Sequence, residues 1–357
     1  MADNTIGHGR AEIHITHADL GRRVSARRIL EIAEGRPVFG DVVGVLTSWD
    51  GGVLTVVDRT GAAVQIRENA LVAAKAVPPA PVRRGRGAVA AHRAVGAPEL
   101  QRIAGRGWPA TTTEPLGAWT LRAAAGFTRR ANSVLVSGDP GLPLDQALER
   151  AVDWYRERGL PVYLQITTSE AREDTDDALD AELAARGWTV EQAALLLTAP
   201  LAPVVDCVPT VPTVPTAAST ATPHHVLLSR EPGDAWLSRY HHVADPARAR
   251  VARAVLGGGP SVWFATVPGP EGEPATAIGR CVVDGRWAGF GAVEVGSDQR
   301  RRGLAGAVMA TLARAAADEG ADLAYLQVEP DNDGALALYD RLGFSTHHRY
   351  HYRRSPS

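Results

Sequence analysis

The chain has 357 residues, a formal net charge of -2, 45% hydrophobic and 22% charged residues, which is the profile of an ordinary globular protein with room for two or three domains. No apolar run approaches membrane-spanning length, no basic and apolar leader opens the sequence, and Cys207 and Cys281 suit neither a disulfide framework nor a metal cluster. A cytoplasmic protein with no metal and no membrane partner is expected; the near-neutral charge disfavours nucleic acid, and Lys75, the only lysine, leaves almost no place for a lysine nucleophile.

In chain order, residues from Val24 to Val77 alternate in short β-like runs punctuated by Asp50-Gly51-Gly52 and Thr60-Gly61, which mark hairpins. A small all-β barrel of the Src-homology-three type over 1–78 is expected. Residues 79–114 are rich in Pro, Gly, Arg and Ala and read as a linker with one short helix near Pro98 to Ala104. A second linker over 202–223 carries repeated Val-Pro-Thr, which is stiff and unfit for a sheet interior.

The segments after these linkers, 115–201 and 224–357, repeat one order of elements. In the first, a helix from Leu144 to Arg158 precedes a strand with Tyr163-Leu164-Gln165, and a helix from Asp177 ends at Gly187-Trp188. In the second, a helix from Gly306 to Asp318 precedes a strand with Tyr325-Leu326-Gln327, and a helix from Asp333 ends at Gly343-Phe344. Duplication explains this recurrence. The chain therefore reads as mixed α/β (α+β), with two tandem mixed sheets flanked by helices behind a small barrel.

The second copy carries the chemistry. A strand from Trp287 to Val295 runs into Gly296-Ser297-Asp298-Gln299-Arg300-Arg301-Arg302-Gly303-Leu304-Ala305-Gly306, and a helix begins there. Small residues let an anion approach the backbone, and unpaired N–H groups with the positive end of the helix dipole suit a pyrophosphate. Downstream stands Asn332-Asp333-Gly334-Ala335-Leu336-Ala337-Leu338-Tyr339-Asp340-Arg341-Leu342-Gly343-Phe344. Arg300-x-x-Gly303-x-Ala305 resembles the acetyl-CoA pyrophosphate motif of the GNAT superfamily of N-acetyltransferases, and Asn-x-x-Ala-x-x-Leu-Tyr-x-x-x-Gly-Phe resembles its C-terminal helix motif.

The resemblance, which covers about Val226 to Tyr352, implies acetyl-CoA as acetyl donor and a small-molecule primary amine as acceptor. It implies diphosphate binding by Gln299, Arg300, Arg301, Arg302, Gly303, Leu304, Ala305 and Gly306, and main-chain bonds from Val293 and Val295 to the pantetheine arm. Asn332 would contact that arm or cap its helix, and Tyr339 would protonate the departing thiolate. An amine must also lose a proton. Strand alternation sets Glu294 apart from Val293 and Val295 and makes it the first candidate base, with Glu329 and the His241-His242 pair as rivals. The alternating stretch from His347 to Tyr352 reads as an exposed face of a final strand rather than a metal site.

The first copy has Gly138-Asp139-Pro140-Gly141-Leu142-Pro143 in place of the arginine-glycine loop and no tyrosine in its second helix, so it should not bind CoA. Its Arg129, Arg130 and Asn132 group two guanidiniums and an amide, which suits recognition of a carboxylate on the acceptor. The overall layout is similar to actinobacterial acetyltransferases with an N-terminal small barrel, some described as N-acetylglutamate synthases, which makes the α-amine of glutamate a candidate acceptor. A non-catalytic acetyl-CoA sensor and an enzyme acting on protein or nucleic-acid-associated substrates are the competing readings. For the last, Asp41, Asp50 and Asp58 dilute any basic patch on the barrel.

Overall fold

The computed structural model describes residues 13–33, 36–58, 62–76, 91–168, 174–207, 226–240, 246–270 and 272–356. The chain divides into an N-terminal unit ending at Val82 and a larger unit beginning at Arg83.

The N-terminal unit is one six-stranded sheet of β1 (Ile13–His14), β2 (Arg23–Ala33), β3 (Arg36–Asp50), β4 (Val53–Asp58), β5 (Ala63–Arg67) and β6 (Leu71–Ala76), in the order β1-β6-β2-β3-β4-β5. Every pairing is antiparallel except β1 with β6. Asp50 pairs with Val53, and Gly51 and Gly52 both have positive φ, as a two-residue hairpin turn demands. Alternate residues Leu46, Leu54, Val56 and Ile66 meet in its core. Among the described residues no pairing joins β1 to β5.

The larger unit holds a single sheet of eleven strands. Its first half contributes helix α1 (Ala97–Gly107), β7 (Thr112–Leu116), β8 (Trp119–Ala123), β9 (Val134–Leu135), α2 (Leu144–Arg156), β10 (Tyr163–Thr168), α3 (Asp177–Ala185), β11 (Thr189–Pro200) and the short α4 (Leu201–Asp206). Its second half contributes β12 (Leu227–Ser229), α5 (Asp234–Arg239), α6 (Pro246–Gly257), β13 (Ser261–Val267), β14 (Ala277–Asp284), β15 (Trp287–Val295), α7 (Leu304–Asp318), β16 (Leu323–Val328), α8 (Asp333–Arg341) and β17 (Ser345–Arg354).

The strand order, β12-β13-β14-β15-β16-β11-β17-β10-β9-β8-β7, shows that the halves are not separate domains. Strand β11, which ends the first copy, lies between β16 and β17; strand β17, which ends the second, lies between β11 and β10. Each copy lends its last strand to the other. The stretch expected to be a linker contributes α1 and β7 instead. Its helix is longer than expected, started by Gly96 with Pro98 in the first turn and Glu99 and Arg106 at the dipole-compatible ends. Leu100, Ile103 and Ala104 of this helix pack on Leu196 of β11 and on Trp287, Leu323 and Tyr325 of the second copy. Much of the second expected linker, residues 208–225, lies outside the described residues, and 202–206 form part of α4.

A buried polar chain also joins the copies. Arg122 on β8 donates through Nη2 to Gln165 Oε1 at 2.8 Å, Gln165 Nε2 donates to Gln101 Oε1 at 2.8 Å, and the Gln101 amide meets His348 Nε2 at 2.9 Å. Arg122 can only donate, so each amide in turn must accept from one neighbour and donate to the next. The stretch from His347 to Tyr352 is indeed strand, but not an exposed face. It runs through mid-sheet, and His348 is 1% exposed. Alternation cannot distinguish one covered face from two.

Candidate active site

Strands β15 and β16 pair in parallel from Trp287–Leu323 to Phe290–Leu326, and there the ladder stops. Beyond it, β15 keeps only β14 as partner, while Leu326 to Val328 of β16 pair with β11. Ala292 has φ 50° beside a register shift in the β14–β15 ladder, so a bulge turns β15 away from β16. Residues 291–295 therefore have no pairing to β16.

After β15, a single 3₁₀ turn at Ser297–Gln299 leads into residues 300–303, where Arg301 and Gly303 have positive φ. Gly303 O accepts from Ala307 N at 3.0 Å, so Gly303 precedes the first turn of α7. The N–H groups of Leu304, Ala305 and Gly306 have no intrahelical acceptor, and a Cβ on Gly306 would meet no atom within 4 Å. Arg300, Arg301 and Arg302 are exposed, and Arg302 donates to Gln299 Oε1 at 2.9 Å.

A cleft of about 360 Å³ lies where the strands part. From the second copy it is lined by Gly291 to Glu294, Gln327 to Glu329, Asn332 and Tyr339; from the first, by Thr128, Arg129, Arg130 and Gln192; from α1's end, by Trp108. Glu294, the candidate base, and Tyr339, the candidate acid, therefore share one cavity with the arginines singled out in the first copy. Tyr339 is 9% exposed, and burial pushes its phenol up to about 12, so it stays protonated as a proton donor must. Asn332 caps α8, its side chain accepting from Ala335 N at 3.2 Å. Val295 pairs with Ala277 and, like the loop from Gln299 to Gly306, lies outside the cleft lining. His241 and His242 lie outside the described residues.

The arginine segment separates into distinct parts. Asn132 is 5% exposed and does not line the cleft. Its oxygen accepts from Ala124 N and Gly126 N, and its nitrogen donates to Phe127 O and Thr128 O, all within 2.9 Å. The amide is fully used in holding a loop that contains positive φ at Ala125, Gly126 and Thr128, so it braces the arginines and has nothing left for a substrate. Arg129 is engaged too: it pairs with Glu191 at 2.7 Å and donates to Gln192 Oε1 at 2.6 Å. Gln192 in turn donates to Glu329 Oε1 at 2.8 Å. Arg130 differs. Its guanidinium lies 4.8 Å from the Trp108 ring centroid, and among the described residues no carboxylate is within ion-pair distance.

Sequence reasoning missed Trp108, Tyr240, Gln192, Arg280, Tyr350 and Tyr352 at this site. Trp108 is anchored by its Nε1 on Thr128 Oγ1 at 3.0 Å and has Arg280 at 5.1 Å from its ring. Arg280 is fully buried and donates to three carbonyls, Leu256 O, Gly107 O and Gly258 O; burial lowers its pKa to about 10, which leaves it charged at neutral pH. Gln192 reaches the cleft from a bulge in β11, where its own φ is 35°. A Gly-Ala-Pro-Glu start to α1 was visible in the sequence; the bulge was not.

A mixed sheet parted between two parallel strands, with a glycine-led helix after one and an Asn-capped, tyrosine-bearing helix after the other, defines an N-acetyltransferase of the GNAT type. Residues 98–353 match the model of the family described as "Probable histone acetyltransferase Rv0428c C-terminal", and the chain belongs to that family. It is 26% identical over 259 residues to the "Uncharacterized N-acetyltransferase YobR" of Bacillus subtilis (strain 168), covering 71% of this chain and 97% of that one. Among solved structures it is similar to a "Tandem GNAT protein from the clavulanic acid biosynthesis pathway", with TM-score 0.49, 15% identity, and coverage of 63% of this chain and 76% of that chain. A GCN5-related N-acetyltransferase from Kribbella flavida gives TM-score 0.46, 18% identity, and coverage of 74% and 97%.

Proposed function

We propose that this enzyme transfers an acetyl group from acetyl-CoA to the primary amine of a small molecule that carries a carboxylate, an amino acid such as glutamate being the acceptor class. The observation that carries this reading is the single cleft that joins Glu294 and Tyr339 to Arg130. The residues fit the donor: the main chain of Val293 and Val295, beyond the end of the β15–β16 ladder, suits the amides of a pantetheine arm, and the first turn of α7 with Gln299 to Gly306 suits a diphosphate. Acetyl-CoA supplies an activated thioester. Glu294 takes the proton of the attacking amine, and Tyr339 gives a proton to the sulfur. Glu329, held by Gln192 on one oxygen, is the rival base.

Arg130 is the acceptor's anchor, because among the described residues it is the cleft's cation with no carboxylate within ion-pair distance, and its guanidinium rests over Trp108. Removing it should raise the Michaelis constant for the amino acid by about 30-fold to 1000-fold and leave acetyl-CoA affinity unchanged. A panel of amines with acetyl-CoA, followed by release of free thiol, tests the whole reading. Turnover of cationic polyamines with none of amino acids would overturn the acceptor class. The family's printed description favours a second reading, a lysine side chain on a basic protein. Thiol release with a histone-tail peptide and none with free amino acids would establish that reading instead.

A further inference from the structure

Behind the cleft lies a niche of about 10 Å³, room for a single water or one oxygen atom. Arg130, Trp108 and Gln327 line both spaces, so the niche opens from the cleft at the point where β15 and β16 part. Tyr325 forms part of its wall. That ring stands in a slot made by two glycines: a Cβ on Gly107 or on Gly289 would collide with the hydroxyl. Tyr325 is 5% exposed and Gln327 is half-buried, and both line the niche. A phenol and an amide thus share the lining of this niche with two arginines, Arg130 and Arg280.

We propose that this niche is the specificity pocket for the acceptor's carboxylate, taking one carboxylate oxygen between the Tyr325 hydroxyl, the Gln327 amide and Arg130. The inference rests on the carboxylate-bearing acceptor proposed above and adds Tyr325 and Gln327 to the residues that read it. Charge decides between this ligand and a proton relay. Two guanidiniums at the wall favour an anion and oppose a proton arriving there, so a passive water or a base's water wire is the weaker occupant. Size decides between carboxylate and phosphate: one oxygen enters while the rest of the group stays in the cleft on Arg130, and a tetrahedral anion has no such flat approach.

The test uses the full chain with acetyl-CoA, a panel of free L-amino acids and their α-carboxamides, in wild type, Tyr325→Phe and Gln327→Leu. Both variants keep the volume of the side chain and lose only its polar group, and melting temperature checks that each folds. The expected result is that wild type prefers the free acid to the amide by about 30-fold or more. Each variant then raises the Michaelis constant for the free acid by about 10-fold, leaving turnover at saturation and the amide's constants unchanged. Wild-type discrimination that survives in both variants would overturn the niche and leave the carboxylate acceptor standing. Wild type that does not discriminate, or acetylates no amino acid, would overturn the acceptor reading and the niche with it.

Discussion

Helices α3 and α8 end in the same way, and their difference shows what separates a scaffold from a site. After α3, Gly187 N–H bonds Ala184 O and Trp188 N–H bonds Leu183 O; after α8, Gly343 N–H bonds Asp340 O and Phe344 N–H bonds Tyr339 O. Both glycines have positive φ, and both motifs close with an apolar contact, Trp188 in one core with Leu183 and Phe344 at 5.9 Å from Tyr339. The shared geometry aligns Tyr339 with Leu183 and the helix-capping Asn332 with Asp176. Where one copy keeps a phenol in a cleft, the other buries a hydrocarbon.

The loops ahead of α2 and α7 diverge in the same sense. In the first copy Trp119 Nε1 donates to Gly138 O and Ala118 N to Asp139 O, both at 2.8 Å, and a Cβ on Gly117 would collide with the Pro140 backbone. That loop is spent on its own hairpin, with two prolines that have no N–H to offer. The corresponding loop of the second copy, Gly296 to Gly306, contains no proline. The packing of this loop supports the proposal that the first copy is silent toward the donor, while the same copy supplies Arg130 and the inserted strand β11.

The largest effect should come from closing the second loop as the first is closed. Gly303 has φ 79°, so Gly303→Val adds strain and bulk where the backbone must approach an anion. Acetyl-CoA binding by calorimetry should be lost, with the fold retained; wild type should bind one molecule per chain, and two equivalent sites would refute the silence of the first copy. Next, Tyr339→Phe should lower turnover by about 10²-fold or more with little change in acetyl-CoA affinity, as for a proton donor acting in the transition state. Unchanged turnover would reduce Tyr339 to the structural part that Leu183 plays. Glu294→Gln should then remove the acid limb of the pH–rate profile, because a base works only when deprotonated and its rate rises with pH; a retained limb would transfer the role to Glu329.

The smallest effect sharpens the comparison of the helix starts. Asp176 does not cap α3 with its side chain but accepts from Thr167 N at 3.0 Å, and burial raises its pKa from 3.8 to about 6. A carboxyl raised in the folded state destabilises it as pH climbs from near 4 through 6, where the folded form must ionise at a cost. Asp176→Asn, which copies the residue at Asn332, should therefore leave melting unchanged below pH 4. At pH 8 it should stabilise by up to about 3 kcal/mol.

Several elements were legible in the sequence because their signals are local. The Asp50-Gly51-Gly52 turn, the repeated Gly-aromatic helix ends and the Arg300 to Gly306 loop each arise from backbone conformations that only certain residues permit. The part of α1 and all of β7 hidden in an apparent linker were obscured by Gly and Arg, which read as punctuation and charge. Their burial comes from partners far along the chain: Gln101 finds Gln165 and His348, and Gly107 makes room for Tyr325.

The sequence by itself determined the repeated order of elements, the Gln299 to Gly306 loop ahead of a helix, the Asn332-started helix bearing Tyr339, and the absence of those residues from the first copy. Each follows from residue types at fixed short spacings. Only the tertiary structure decided that the copies exchange their last strands, that Asn132 and Arg129 are spent on protein partners, and that Arg130 is left on Trp108 to face Glu294 and Tyr339 across one cleft. Those outcomes depend on which hydrogen-bonding and ionic groups find partners once the chain is folded, and a group's freedom to bind a substrate is whatever that pairing leaves over.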